Sequence, residues 1–352
     1  MSPLLDEPIR SVVLVRARTG LGDLLCTAPA LRALRARLPR AHVALLTYAE
    51  MRPVVERLPG VDELLELPGW PGIPERPVDE AALAPFLERV RARRLDLAVQ
   101  MYGANAAANE LTEALGAART AGFFVPGTIP RPDLTRFLPY PHSRHEVRRH
   151  LDLLALLGAP PAGEELAFPI GRDDEEAAEA ALRAAGLEGR PYALLHPGAT
   201  SPSRRWPFAR WAAVGDALTA RGLAVGITGV RGEEPAVAAV RERLRAPAAD
   251  LCGRTRLGAF AALVRGAELL LGNDSGPAHM AAAVGTPSVT VFLSGDPVRW
   301  AHPGPHRIAR VQVECNPCPH LSCPIDHRCA QRLTAADVLA QVDALPVRAM
   351  AA

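Results

Sequence analysis

The stretch Gly272-Asn273-Asp274-Ser275-Gly276-Pro277-Ala278-His279 concentrates a carboxylate, a hydroxyl, an imidazole and two glycines in one short segment. An apolar run at 267–271 precedes it, and a small-residue segment expected to be helical follows, then a second apolar run at 288–293. Strand, polar turn, helix, strand is the layout of a ligand site at the carboxyl edge of a parallel sheet. The turn puts Asp274, Ser275 and backbone N–H groups at a helix start, where the dipole and the unpaired donors favour an anion. The chemistry is that of holding a phosphate or a sugar hydroxyl. Ordinary helix capping accounts for Asp274 or Ser275 taken alone. It does not account for Gly276, Pro277 and His279 in the same turn.

Four further clusters carry chemistry. Gly20-Leu21-Gly22-Asp23 follows an apolar run at 11–16 and opens a helical stretch that continues through Thr27-Ala28-Pro29-Ala30-Leu31. Its glycines let backbone approach a ligand, but the G-x-G-x-x-G spacing is absent, which disfavours a plain dehydrogenase. Asp23 either caps the helix or takes a proton from a hydroxyl nucleophile. In His196-Pro197-Gly198-Ala199-Thr200-Ser201-Pro202-Ser203-Arg204-Arg205-Trp206-Pro207, the hydroxyls of Thr200, Ser201 and Ser203 and the guanidinium groups of Arg204 and Arg205 suit a diphosphate. The other reading is a solvated loop anchored by Trp206. In Thr228-Gly229-Val230-Arg231-Gly232-Glu233-Glu234, a carboxylate after a strand and a glycine turn either binds ribose or sugar hydroxyls or serves as a helix N-terminal charge. Cys315, Cys318, Cys323 and Cys329 either form a tetrahedral metal site or are buried free thiols. Their last two spacings are not those of a common zinc ribbon.

The elements that position these clusters alternate. Strands are expected at 11–16, 42–47, 63–67 and 95–100, with helices at 24–38, 54–58 and 81–93. The segment 122–141, rich in proline and arginine, reads as irregular, and 145–157 as a helix. A connection at 160–170 leads into a second alternation: helix 174–185, strand 192–196, helix 211–221, strand 224–228, helix 234–244, helix 257–265 and the strand at 267–271. Alternating units with glycine-rich turns predict doubly wound parallel sheets.

Bulk properties bound the function. The chain has 352 residues, 49% hydrophobic and 22% charged, which fits a soluble protein of two ordinary domains. The net charge of +2 gives no support for nucleic acid as a partner. Lysine is absent, so every basic side chain other than histidine is arginine. No apolar run has the length of a membrane span. The first ten residues lack a signal-peptide core, so a cytoplasmic location is expected.

Together these motifs resemble glycosyltransferase family nine, the bacterial ADP-heptose heptosyltransferases of lipopolysaccharide core assembly. The resemblance rests on Gly22-Asp23 with Thr27-Ala28-Pro29-Ala30-Leu31, on His196-Pro197-Gly198-Ala199 through Trp206-Pro207, and on Asn273-Asp274-Ser275-Gly276-Pro277-x-His279. It implies a GT-B fold, α/β, with two Rossmann-like doubly wound domains facing across a cleft. Residues 1–165 would bind the acceptor and 166–352 the nucleotide-sugar donor. It implies an inverting, metal-independent transfer from ADP-heptose as substrate, with no cofactor. Asp23 matches the general base, and Arg204 falls where relatives usually carry lysine near the donor phosphates. Asp274, Ser275, Gly276 and His279 match the donor turn, Glu233 a carboxylate near the ribose, and Thr255 the adenine pocket. Thr200 and Ser201 complete the donor set. Expected partners are the nucleotide sugar and a glycan, glycolipid or small-molecule acceptor, with peripheral contact at the inner membrane face and a monomeric state. Arg131, Arg136, Arg144, Arg148 and Arg149 either suit an acidic acceptor or form a solvated helix face. The competing classes are a transferase using another nucleotide sugar, an epimerase on the same fold, and a non-catalytic nucleotide-sugar binder.

Overall fold

Each half of the chain winds into a six-stranded, all-parallel sheet. The computed structural model describes residues 3–128 and 132–347 and divides into two compact units, Met1–Ala167 and Phe168–Ala352. In the first unit the strands are β1 (Ser11–Val15), β2 (His42–Thr47), β3 (Glu63–Glu66), β4 (Leu97–Gln100), β5 (Arg119–Phe124) and β6 (Phe137–Pro139), in the order β3-β2-β1-β4-β5-β6. In the second they are β7 (Tyr192–His196), β8 (Ala224–Ile227), β9 (Ala248–Asp250), β10 (Leu269–Asn273), β11 (Ser288–Val291) and β12 (His306–Ala309), in the order β12-β11-β10-β7-β8-β9. Counted from its own first strand, each sheet therefore has the doubly wound order 3-2-1-4-5-6.

The central strands of both sheets read as continuous apolar runs because helices cover both faces. Val12, Val13, Leu14 and Val15 are fully buried in β1, as are Leu269, Leu270 and Leu271 in β10. β1 pairs with β2 and β4, and β7 with β8 and β10, all in parallel register. A crevice thus opens at the carboxyl ends of β1 and β4 in one unit and of β7 and β10 in the other, where the winding reverses. Residues of the clusters at 20–31, 196–207, 228–234 and 272–279 stand at or beside these two edges.

Three expectations change. The helix expected at 24–38 is two helices, Leu21–Leu25 and Ala28–Arg37, because Pro29 lacks an N–H and sits at the start of the second one. The stretch 122–141, read as irregular, carries the end of β5 and all of β6, which continue the parallel sheet at its edge. Helix Ala106–Ala114, between β4 and β5, is capped by the side chain of Asn105 and had no counterpart in the sequence reading. Among the described residues, no helix is long and apolar enough to cross a membrane.

Candidate functional site

In the first unit the edge of β1 and β4 is organised around a buried arginine. Arg16 follows β1, and its side chain is fully buried. Its Nη1 donates to the carbonyls of Met101 (2.9 Å) and Tyr102 (3.1 Å), just beyond β4. Its Nη2 donates to Asp23 Oδ1 at 3.1 Å. Asp23 lies in the first turn of Leu21–Leu25, while the N-cap position belongs to Gly20. The carboxylate folds back over that glycine: a Cβ at position 20 would stand 2.4 Å from Asp23 Oδ2. Asp23 therefore is not the N-cap itself but a first-turn carboxylate that folds back toward the N-cap residue. Its carboxyl group is 24% exposed and faces Arg16 and, at 4.0 Å, Arg18 Nε. Such a carboxylate is oriented by two arginines and open to a ligand.

Arg18 is held in turn by Glu75 at 2.6 Å and lies 3.7 Å above the ring of Tyr102, whose hydroxyl donates to the same Glu75. The arginines read as suiting either an acidic acceptor or a solvated helix face have these surroundings. Arg136 pairs with Asp133, Arg144 with Asp152 and Arg148 with Glu164, all on the surface. Arg149 is buried and bonded to Glu146 and the Tyr140 hydroxyl. Arg131 lies outside the described residues.

In the second unit Asn273, fully buried at the end of β10, ties the two loops of the edge together. Its Nδ2 donates to the Pro197 carbonyl (2.8 Å), and its Oδ1 accepts from the Trp206 N–H (3.1 Å). Asp274 follows. It is 2% exposed, and its Oδ2 has no hydrogen-bond partner. Burial pushes its carboxyl up to about 6, with Arg204 opposing the shift. Arg204 Nη1 stands 3.5 Å from that oxygen and donates to the Asp274 carbonyl at 3.3 Å.

Ser275 occupies the N-cap of helix Gly276–Val284, but its hydroxyl turns back to the Asn273 carbonyl, so no side chain caps the helix. That leaves a positive helix end, beginning at Gly276, beside a half-exposed arginine. His279 is buried against His302, ring nitrogen to ring nitrogen at 2.8 Å, and edge-on to Trp300.

Glu233 sits over the β7 loop. Burial alone would raise its carboxyl, but hydrogen bonding from His196 and then the Val230 N–H (2.9 Å) hold it below the usual range. His196 is oriented by Thr228, with Nδ1 and Oγ1 3.0 Å apart. Thr200 is exposed, and Ser201 and Thr255 are half-exposed in their turns. Ser203 departs from expectation: its hydroxyl is buried against Ser294 and the His320 carbonyl. Trp206 is an anchor, edge-on to Trp211 with ring centroids 5.0 Å apart.

The cysteine segment straps this loop from below. Ser203 N–H donates to the Leu321 carbonyl, His327 Nε2 bonds the Ser203 carbonyl, and Cys318 N–H donates to the Ser294 carbonyl. Cys315, Cys323 and Cys318 all lie near enough to Cys329 to add to the rise that burial causes in its thiol pKa, although no three of the four sulfurs come within 4.8 Å of one another. Sequence reasoning missed Arg16, Glu146, Asn273 and Ser203 as structural pivots. Arg16 alone had a local signal, a charge directly after a wholly apolar strand, which is rarely buried unless paired.

Residues 84–328 match the sequence model of Glycosyltransferase family 9 (heptosyltransferase). The chain is 26% identical over 292 residues to lipopolysaccharide heptosyltransferase 3 of Escherichia coli, covering 79% of this chain and 82% of that protein. It superposes on the glycosyl transferase family 9 structure from Veillonella parvula with a TM-score of 0.73 at 22% identity, covering 85% of each chain. It superposes on ADP-heptose lps heptosyltransferase II of E. coli with a TM-score of 0.73 at 20% identity, covering 94% of this chain and 97% of the other.

Proposed function

The chain belongs to glycosyltransferase family 9, the heptosyltransferase family, and we propose that it moves a heptose from ADP-heptose to a hydroxyl of a lipopolysaccharide-core-like glycan, with inversion and without a metal ion. The observation that carries this reading is the uncapped start of helix Gly276–Val284 beside Arg204, at the winding reversal of the second sheet. A diphosphate placed there meets backbone N–H groups, a helix dipole and a guanidinium together. The hydroxyls of Thr200 and Ser201 border the same loop. Glu233, kept ionised and acceptor-only by His196, suits the ribose hydroxyls, and Thr255 the base. Asp274, and His279 through its position in the turn, complete the donor set.

Asp23 is the base. It takes the proton of the acceptor hydroxyl as that oxygen forms its bond to the anomeric carbon, on the face opposite the departing ADP. The bond from the anomeric carbon to the diphosphate oxygen breaks, and the charge left on ADP is absorbed by Arg204 and the helix start. Residues up to about 167 serve the acceptor and the remainder the donor. The protein works as a monomer in the cytoplasm, at the inner membrane face.

The test is calorimetry followed by turnover. ADP and ADP-heptose should bind in preference to UDP and GDP. Asp23→Ala should abolish transfer while leaving ADP affinity within a few-fold, and wild-type transfer should survive EDTA. Preference for UDP or GDP overturns the donor. Equal loss of ADP binding in Asp23→Ala overturns the base. Loss in EDTA restored by magnesium overturns the metal-free scheme.

A further inference from the structure

Asp23 does not have Arg16 to itself. The same Nη2 that reaches Asp23 Oδ1 at 3.1 Å donates to Glu146 Oε1 at 2.7 Å. Glu146 opens helix Glu146–Leu157 and is 1% exposed. Its second oxygen accepts from Arg149 Nη1 at 2.7 Å. Arg149 is fixed in turn by the Pro141 carbonyl (2.9 Å) and the Tyr140 hydroxyl (2.6 Å). Two carboxylates thus compete for one buried guanidinium nitrogen, and the buried one holds the shorter bond.

A buried ion pair is a weak source of net stability, since desolvation offsets the attraction. A glutamate needed only for the helix dipole would sit in solvent at the helix start. Glu146 does neither. It reaches inward to a residue whose other carboxylate partner is Asp23, which is 24% exposed.

We infer that Glu146 is a positioning residue for the transfer: by holding the shorter share of Arg16, it sets how much of that cation reaches Asp23, and so how readily Asp23 accepts a proton. This rests on the reading of Asp23 as the base. With Glu146 neutralised, the whole Arg16 charge would favour ionised Asp23 and weaken it as a base. The other groups around Asp23 do not replace Glu146. Arg18, at 4.0 Å, is a cation neutralised by Glu75 and stacked on Tyr102. From the helix side, Arg149 is a second cation, and His150 is neutral, held down to about 3 by burial and then by Arg16.

The experiment compares Glu146→Gln, Glu146→Asp and Asp23→Asn with the intact full-length chain. ADP-heptose is the donor and a deacylated lipopolysaccharide-core oligosaccharide the acceptor, with kcat and kcat/KM followed against pH. Glu146→Gln should move the acid limb of kcat/KM down by about one pH unit. Its plateau kcat should fall roughly three- to tenfold with the KM for ADP-heptose unchanged. Glu146→Asp keeps the charge but reaches less far, so its limb should lie between the two. If Glu146→Gln does not fold, the Glu146→Asp limb decides: a downward move supports the role, and an unmoved limb overturns it. A stable Glu146→Gln with an unmoved limb overturns it equally. Asp23→Asn separates the two readings: retained transfer there sinks the base itself, whereas a dead Asp23→Asn beside an unmoved Glu146→Gln limb sinks only the role of Glu146.

Discussion

Glu233 lies directly over Gly198: a Cβ at position 198 would stand 2.1 Å from Glu233 Oε1 and 2.2 Å from its Cδ. The loop after β7 is therefore glycine where the carboxylate passes, and the close approach keeps Glu233 within 3.4 Å of His196 Nε2. Gly198→Ala should push the flexible end of Glu233 aside without disturbing the sheet. The expected result is a melting temperature within a few degrees of wild type and ADP binding weakened about 5- to 20-fold, the size of one lost charge-assisted hydrogen bond. Glu233→Ala should cost the same, and the double variant no more, because both remove one interaction. Additive losses in calorimetry would mean that Gly198 and Glu233 act separately.

Arg204 and lysine differ in ways that can be measured. Arg204 is about one-third exposed and already directs Nη1 toward Asp274. A diphosphate arriving there meets a planar fork that donates twice, where a lysine offers a point charge. Arg204→Ala should weaken ADP binding roughly 10- to 100-fold, as expected for charge-assisted hydrogen bonds. Arg204→Lys should recover most of that loss but show a steeper fall with salt, since a point charge depends more on screened attraction. Unchanged ADP affinity in Arg204→Ala would remove the phosphate role and leave Arg204 as the counter-ion of Asp274.

The sequence made the two sheets legible because each strand ends in a turn of small and polar residues that cannot continue it. The runs at 192–196 and 267–271 pointed to β7 and β10, and the clusters after them fall at one edge. Legibility ended where pairing is remote. Glu146 meets Arg16 across 130 positions of chain, and no local pattern encodes that. Ser203 reads as a free hydroxyl until the segment around His320, more than a hundred residues on, folds over it. The arginines at 136, 144 and 148 form a basic cluster in the sequence, yet each has an acidic partner within reach on the folded surface. β6 was hidden by composition: three residues ending in Pro139 make an edge strand, where a missing N–H is tolerated.

Asp274 makes a prediction about stability whose sign depends on pH. Its carboxyl titrates near 6 in the folded chain against 3.8 for an unperturbed aspartate, because burial penalises the charge more than Arg204 restores it. Between those values the folded chain binds the extra proton. Stability is therefore greatest below about pH 4 and falls as pH rises through 6. Above that range the ionised carboxylate, desolvated by more than Arg204 at 3.5 Å offsets, costs roughly 2–3 kcal/mol. Asp274→Asn is nearly isosteric and cannot ionise. At pH 8 it should melt about 4–8 °C higher than wild type, and at about pH 3 the same. Scanning calorimetry at the two pH values checks this, and an equal gain at both would mean that ionisation of Asp274 is not what strains the site. The same variant should bind ADP-heptose less well at pH 8, because a carboxylate retained at a cost in stability is kept for what it does with ligand bound. A stabilised variant with undiminished donor affinity would remove Asp274 from the donor set and leave the helix start and Arg204 to hold the diphosphate.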